Sequence, residues 1–194
     1  MITAPEQILT PRLVLRKPVR RDAGDIFSAY AQDPEVTRHL MWRPDGSVRE
    51  VEEFLDKTLR AWERGSAYAW SILLREGGEL VGMIEARVDA YMVNIGYVIG
   101  RAHWNRGFAT EAVRGVCAWA DAQPEVFRVW AVCAVDNPAS TRVLEKAGMT
   151  REGILRRWAV FPNIGGAPRD CYSYSLVRES APPSLPGSVH RSVS

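Results

Sequence analysis

A length of 194 residues fits one domain with room for a sizeable core, and 46% hydrophobic with 25% charged residues is the balance of an ordinary globular chain. The formal charge of +2 is scattered over Arg, Asp and Glu positions, which argues against a nucleic-acid surface or a polybasic membrane anchor. The segment Met1–Glu6 lacks a basic stretch followed by an apolar one, so no signal peptide is expected, and no run is long enough to span a bilayer.

Three cysteines, Cys117, Cys133 and Cys171, lie far apart inside apolar segments and read as buried small hydrophobes in a reducing, cytoplasmic compartment. His39, His103 and His190 are isolated and no Cys-x-x-Cys occurs, so no metal site is expected. The densest basic run, Arg16, Lys17, Arg20 and Arg21, is followed at once by Asp22 and Asp25 and reads as a solvated rim.

In chain order, residues 12–16 predict a short strand. Asp22 is expected to cap a helix through Ile26, Phe27 and Tyr30, and residues 33–47 to be irregular, with a helical turn near Val36–Leu40. Val51, Phe54, Leu55, Leu59 and Trp62 recur at helical spacing from Val48 to Arg64, and Gly65 closes that helix. Strands follow at Ala67–Arg75 and Glu79–Val88, joined by a Gly77-Gly78 hairpin, and at Val93–Ile99, where Gly96 marks a bulge or a close backbone approach. A helix over Gly107–Ala122 precedes the apolar run Phe127–Val135, read as a strand buried on both faces. A short helix over Asn137–Ala147 and strands near 154–161 and 170–177 complete a mixed α/β domain, with an antiparallel start and a helical crossover near its middle. The expected divisions are an N-terminal extension over 1–8, a domain over 9–178 and a disordered Pro/Ser-rich tail over 179–194.

Two segments carry chemistry. In Trp104-Asn105-Arg106-Gly107-Phe108-Ala109-Thr110 a loop opens a helix, whose first N–H groups and positive dipole end suit a pyrophosphate. Gly107 lets the backbone approach phosphates, and Thr110 adds a hydroxyl; an ordinary strand–loop–helix turn would look the same. In the second, Asn137 reads as an N-cap, Pro138 as the first helical residue and Gly148 as the stop, roles that need no function.

Taken together, Trp104–Ala112 and the run Asn137-x-x-Ser140-x-x-Val143-Leu144-Glu145-Lys146-x-Gly148-Met149 resemble motifs of the GNAT superfamily of N-acetyltransferases. More narrowly they resemble its Rim-type branch, which includes enzymes acetylating ribosomal-protein N-termini; Leu9–Arg16 and Ile95-Gly96-Tyr97 match that branch too. The resemblance implies the acyl-CoA N-acyltransferase fold, a central mixed sheet splayed between Val93–Ile99 and Phe127–Val135. It implies acetyl-CoA as acyl donor, held by backbone groups of Tyr97, Val98 and Ile99 along the pantetheine arm and by the amides of Asn105 through Thr110 at the pyrophosphate. Asn137 would face the cofactor arm, and Ser140 would donate a proton to the leaving thiolate. Trp104 stands where the family usually has Gln or Arg.

The implied reaction is direct attack of a neutral amine on the thioester. An α-amine with a pKa near ~8 holds roughly two hundred times more free base at neutral pH than a lysine near ~10.4, about 3 kcal/mol, which favours a protein N-terminus. Some relatives place a Glu where Asn94 stands, so Glu85 is the best remaining base, with pairing to Arg87 as its plain alternative; Tyr68, Tyr91 and Asp89 are weaker candidates. Mixed charges over 33–65 leave aminoglycoside or polyamine acceptors open, as they do a catalytically silent acyl-CoA-binding module. Relatives of this kind are monomers or homodimers.

Overall fold

The computed structural model describes residues 2–178; the tail expected to be disordered, 179–194, lies outside the described residues. Strands β1 (Gln7–Leu9), β2 (Leu13–Arg16), β3 (Ala67–Leu74), β4 (Leu80–Asp89), β5 (Met92–Ile99), β6 (Arg128–Ala134), β7 (Thr150–Ala159) and β8 (Arg169–Val177) form one sheet. Their order is β1-β2-β3-β4-β5-β6-β8-β7. All neighbours are antiparallel except β5 and β6, which run parallel because α4 (Phe108–Asp121) crosses between them. The mixed α/β fold expected from the sequence is the one observed.

Period-two alternation assigns the two faces. From β4 and β5, Ile84, Ala86, Val93 and Ile95 pack with Val113, Val116 and Ala120 of α4 and Leu144 of α5 (Pro138–Lys146). Met83 and Val98 point the other way, to α1 (Ala23–Ile26), α2 (Pro34–Thr37) and α3 (Val48–Glu63), where Ile26, Val36, Val51 and Leu55 bury their side chains. Helix α3 forms where the apolar spacing predicts it, with the Ser47 hydroxyl accepting from the Glu50 N–H and Gly65 closing it at φ 68°. Residues 2–8 are packed against the domain: Ile2 is buried, and its carbonyl accepts from Tyr68 Oη at 2.7 Å.

Several expectations are corrected. Asp22 does not cap a helix with its side chain. It ends a short 3₁₀ turn (Arg20–Asp22), and its carboxylate reaches back to the Val19 N–H at 3.0 Å. Buried there, it also accepts from Arg16 at 2.6 and 2.8 Å and from Ser71 at 3.0 Å, so it ties β2, β3 and the first helix together. The basic rim is largely ion-paired, Lys17 with Glu6 and Arg20 with Glu52 and Asp56. The turn expected near Val36–Leu40 forms two residues earlier, where the Asp33 carboxylate accepts from the Glu35 N–H. Gly96 marks neither a bulge nor a close approach: the β4–β5 register runs unbroken through Glu85↔Gly96, and a Cβ there would meet only the Arg87 guanidinium, at an ordinary 3.7 Å. Strand β7 begins at Thr150, before the predicted 154.

Candidate active site

Strands β5 and β6 pair only over Met92↔Arg128, Val93↔Val129 and Asn94↔Trp130. Beyond Asn94 each stays zipped to its outer neighbour, β5 to β4 as far as Gly82↔Ile99 and β6 to β8 as far as Ala134↔Cys171. Held from outside and unpaired inside, Ile95–Ile99 and Ala131–Ala134 diverge into a gap in the middle of the sheet.

The connection leaving β5 turns at once into α4. Asn105 sits at φ 59° and Gly107 at φ 79°, a left-handed pair that curls successive N–H groups toward one side. The first intrahelical bond of α4 runs from Glu111 N to Gly107 O, so the amides of Phe108, Ala109 and Thr110 lack an intrahelical acceptor. These are the groups that the sequence assigns to a diphosphate. A Cβ at Gly107 would meet Arg12 Nη2 at 3.4 Å in a backbone conformation that other residues adopt at a cost.

The loop is braced by side chains that motif reading did not identify as its supports. Glu111 accepts from Thr10 Oγ1, Arg12 N and Arg12 Nε, each at 2.7 Å, and Arg12 also donates to the Arg106 carbonyl at 3.0 Å. The guanidiniums of Arg12 and Arg106 each lie 4.8 Å from the Phe108 ring. Burial works to raise the Glu111 pKa, but the bonds from Thr10 and Arg12 outweigh it and hold the carboxyl below its usual range. Beneath the loop, buried His103 meets Arg106 Nη1 with Nδ1 and Glu79 with Nε2, both at 3.2 Å. Trp104, the departure from the family pattern, donates its indole N–H to the Ile99 carbonyl at 2.7 Å. It thereby staples the loop to the end of β5 and occupies one backbone group assigned to the pantetheine arm. Beside the loop, a groove of about 580 Å³ carries Arg12, Arg114 and Lys146 on its walls along with Gly107 and Thr110.

On the α4–α5 side of the gap, Asn137 caps α5 as expected, its Oδ1 accepting from the Ser140 N–H at 3.1 Å. Ser140 Oγ lies 2.7 Å from Tyr97 Oη, so the helix start and the diverging strand meet through two hydroxyls. Burial pushes the Tyr97 hydroxyl well above its ordinary pKa, against the opposing pull of Ser140, and it stays protonated at neutral pH. Cys133 is buried close by, 3.7 Å from Thr141 Oγ1, and burial raises its thiol pKa.

Glu85 lies on the opposite face, across from Gly96, in an ion pair with Arg87; Arg87 donates in turn to Asn94 Oδ1 at 3.1 Å. The sequence-level alternative for Glu85, pairing with Arg87, is thus present. Tyr68 spends its hydroxyl on Ile2, while Tyr91 and Asp89 flank the β4–β5 turn, at the end of β5 where β6 is still paired.

The matching family model, described as an acetyltransferase (GNAT) domain, covers residues 12–150. The chain is 33% identical to the uncharacterized N-acetyltransferase YoaA of Bacillus subtilis (strain 168), over 87% of this chain and 95% of that protein. In structure it is similar to a putative ribosomal-protein-serine acetyltransferase from Vibrio cholerae, at 25% identity and a TM-score of 0.78, covering 91% of this chain and all of the other. RimL, a ribosomal L7/L12 alpha-N-protein acetyltransferase solved in complex with coenzyme A, shares the fold at 19% identity and a TM-score of 0.80, covering 89% of this chain and 98% of that one. With the splayed strands and the glycine-led helix already in place, these matches mean that this chain belongs to the GNAT family and is an acetyltransferase.

Proposed function

We propose that the enzyme transfers the acetyl group of acetyl-CoA to a primary amine by direct attack, with a protein N-terminal α-amine as the favoured acceptor. The observation that carries this reading is the gap between β5 and β6 beyond Asn94, opening beside a helix whose first amides are free to bind phosphate. The coenzyme supplies the thioester carbonyl and a thiol leaving group. The amides of Asn105, Arg106, Gly107, Phe108, Ala109 and Thr110 hold its diphosphate, and the basic groove beside them receives the nucleotide end. Backbone groups of Tyr97 and Val98 orient the arm in the gap, the Ile99 carbonyl being taken by Trp104. Asn137 fixes the start of α5, so that Ser140, its hydroxyl 2.7 Å from Tyr97 Oη, stands ready to protonate the departing sulfur.

The acceptor approaches from the α1–α3 face. Glu85 sits there in an ion pair with Arg87, so its carboxylate is already engaged. Met41 and Trp42 expose apolar surface next to that face, 58% and 37% of their area, which favours a peptide over a polyhydroxylated cation. The low pKa of an α-amine points the same way. Two measurements test the reading. Calorimetry should show coenzyme A binding, and a thiol-release screen with acetyl-CoA should rank N-terminal peptides above polyamines and aminoglycosides. Binding without thiol release from any amine would make the chain a silent acyl-CoA module, and a reversed ranking would move the acceptor to small molecules.

A further inference from the structure

The segment after α1 bridges the open end of the gap. Its first part is a wide helical turn (Phe27–Ala31) whose Ala29 carbonyl packs so closely on Gly100 that a Cβ there would come within 2.6 Å. Asp33 then binds Arg101 at 2.9 Å, so this part of the strap is anchored just beyond the end of β5. Val36 buries itself with Met83 on the α1–α3 face, and a few residues later His39 Nε2 lies 3.7 Å from Asp136 Oδ1, in the turn that leaves β6. The strap therefore runs from the end of one diverging strand to the end of the other, across the face opposite α4.

Its far end is fixed with unusual economy. Asn163, in the β7–β8 loop, donates from one amide nitrogen to the carbonyls of Thr37 and Trp42, both at 2.7 Å, and so brackets His39 from either side. That loop is itself seated on the same face by Phe161 and Ile164 against Val132 and Ala134. Asp136 is held in turn by Arg169 at 2.6 Å. An imidazole 23% exposed and mounted on a braced backbone thus lies 3.7 Å from the Asp136 carboxylate, in the turn at the end of the diverging strand β6. Asp136 immediately precedes Asn137, the cap that positions Ser140.

From this geometry we infer that His39, with Asp136 as its positioning residue, is the proton acceptor for the incoming amine. This rests on the acetyl-transfer reading and supplies the base that Glu85, occupied by Arg87, supplies poorly. The balance closes simply. His39 removes one proton from the ammonium acceptor, directly or through one water, and releases it to solvent. The neutral amine forms the C–N bond as the C–S bond breaks, and the second amine proton ends on the sulfur through Ser140.

The charges facing His39 are Asp136 from the β6–α5 turn, Arg38 from its own segment and Arg169 from β8. Burial and the two arginines lower its pKa while Asp136 raises it, and the net direction is down from 6.5. At neutral pH the imidazole is therefore the free base, and kcat should fall on acidification through that lowered value. Asp136→Asn removes the raising charge and should move this acid limb to still lower pH.

The decisive experiment compares two acceptors in the full-length enzyme: an N-terminal peptide, protonated at neutral pH, and an O-alkylhydroxylamine, already neutral. His39→Gln should lower kcat for the peptide by roughly 10²-fold and erase its acid limb. With the hydroxylamine the loss should shrink to a few-fold, and coenzyme A affinity by calorimetry should be unchanged. Equal losses with both acceptors would make His39 merely structural, and an intact acid limb in the variant would overturn the role outright. A wild type that releases no thiol with either acceptor would overturn acetyl transfer itself, a failure distinguished by lying in the unmutated protein.

Discussion

The two ends of β5 are built from similar residues and do opposite things. At its beginning, Met92, Val93 and Asn94 pair with β6, Asn94 Nδ2 adds a bond to the Trp130 carbonyl at 3.3 Å, and the Tyr91 and Phe127 rings meet edge-on just outside. At its end, Ile95–Ile99 and Ala131–Ala134 have the same apolar alternation and no mutual pairing. Backbone groups left unpaired inside a protein are costly unless something binds them. The closed end therefore serves as a clamp where divergence begins, and the open end is the surface that the proposed function gives to the coenzyme arm. If this contrast is right, substitutions at the open end damage turnover and those at the closed end damage only stability.

The largest effect is expected where the two hydroxyls meet. Ser140→Ala removes the proposed proton donor and leaves the Asn137 cap intact, since the cap uses the Ser140 backbone N–H. Turnover should fall by about 10²-fold while the melting temperature and coenzyme A affinity stay close to wild type. Tyr97→Phe should reproduce part of that loss. Full turnover in both variants would remove the proton-donor role from the open end.

A smaller effect is expected at the brace. Glu111→Gln weakens three short bonds to Thr10 and Arg12, one of them to a charged group, and should cost about 2 kcal/mol of stability at neutral pH. Because the folded-state pKa of Glu111 is depressed, its contribution is complete above the unfolded carboxyl value of about 4.3 and is lost as pH falls through the folded value. Urea unfolding at neutral pH and again near pH ~3 should therefore show the wild-type advantage shrinking on acidification. A constant difference would mean that the charge of Glu111 contributes nothing to the brace.

What the sequence disclosed and what it hid divide along the same line. Helix ends were legible because the signals are local: Asn137-Pro138, Gly148 and Gly65 act where they stand. The turn into α4 was legible for the same reason, since a left-handed glycine before an amphipathic helix is a local feature. Asp22 misled because its partners, Arg16 and Ser71, lie on two different strands, and burial beside a guanidinium outweighed its ordinary preference for a cap. Arg12, Glu111, Asn163 and the His39–Asp136 pair were invisible as a constellation because the fold joins residues about a hundred positions apart. The run Phe127–Val135 does hold a strand, Arg128–Ala134, but it is fully buried on one face only, with Phe127 and Val135 exposed at its ends, and nothing in that run separates the pairing half of β6 from the diverging half. That difference is imposed by β4 and β8, which hold the two strands from outside.

The smallest effect belongs to the clamp. Phe127 is 37% exposed and meets Tyr91 edge-on at 6.4 Å, while its backbone N–H donates to the Tyr91 carbonyl at 3.0 Å. Phe127→Ala keeps the backbone bond and deletes the ring contact, so its cost should be about 1 to 2 kcal/mol in denaturant unfolding. Turnover and coenzyme A affinity should be unchanged, because the ladder over Met92–Asn94 still fixes where divergence begins. If this variant instead lost turnover in proportion to Ser140→Ala, the ring pair would be setting the width of the gap, and the division of β5 into clamp and binding surface would fail.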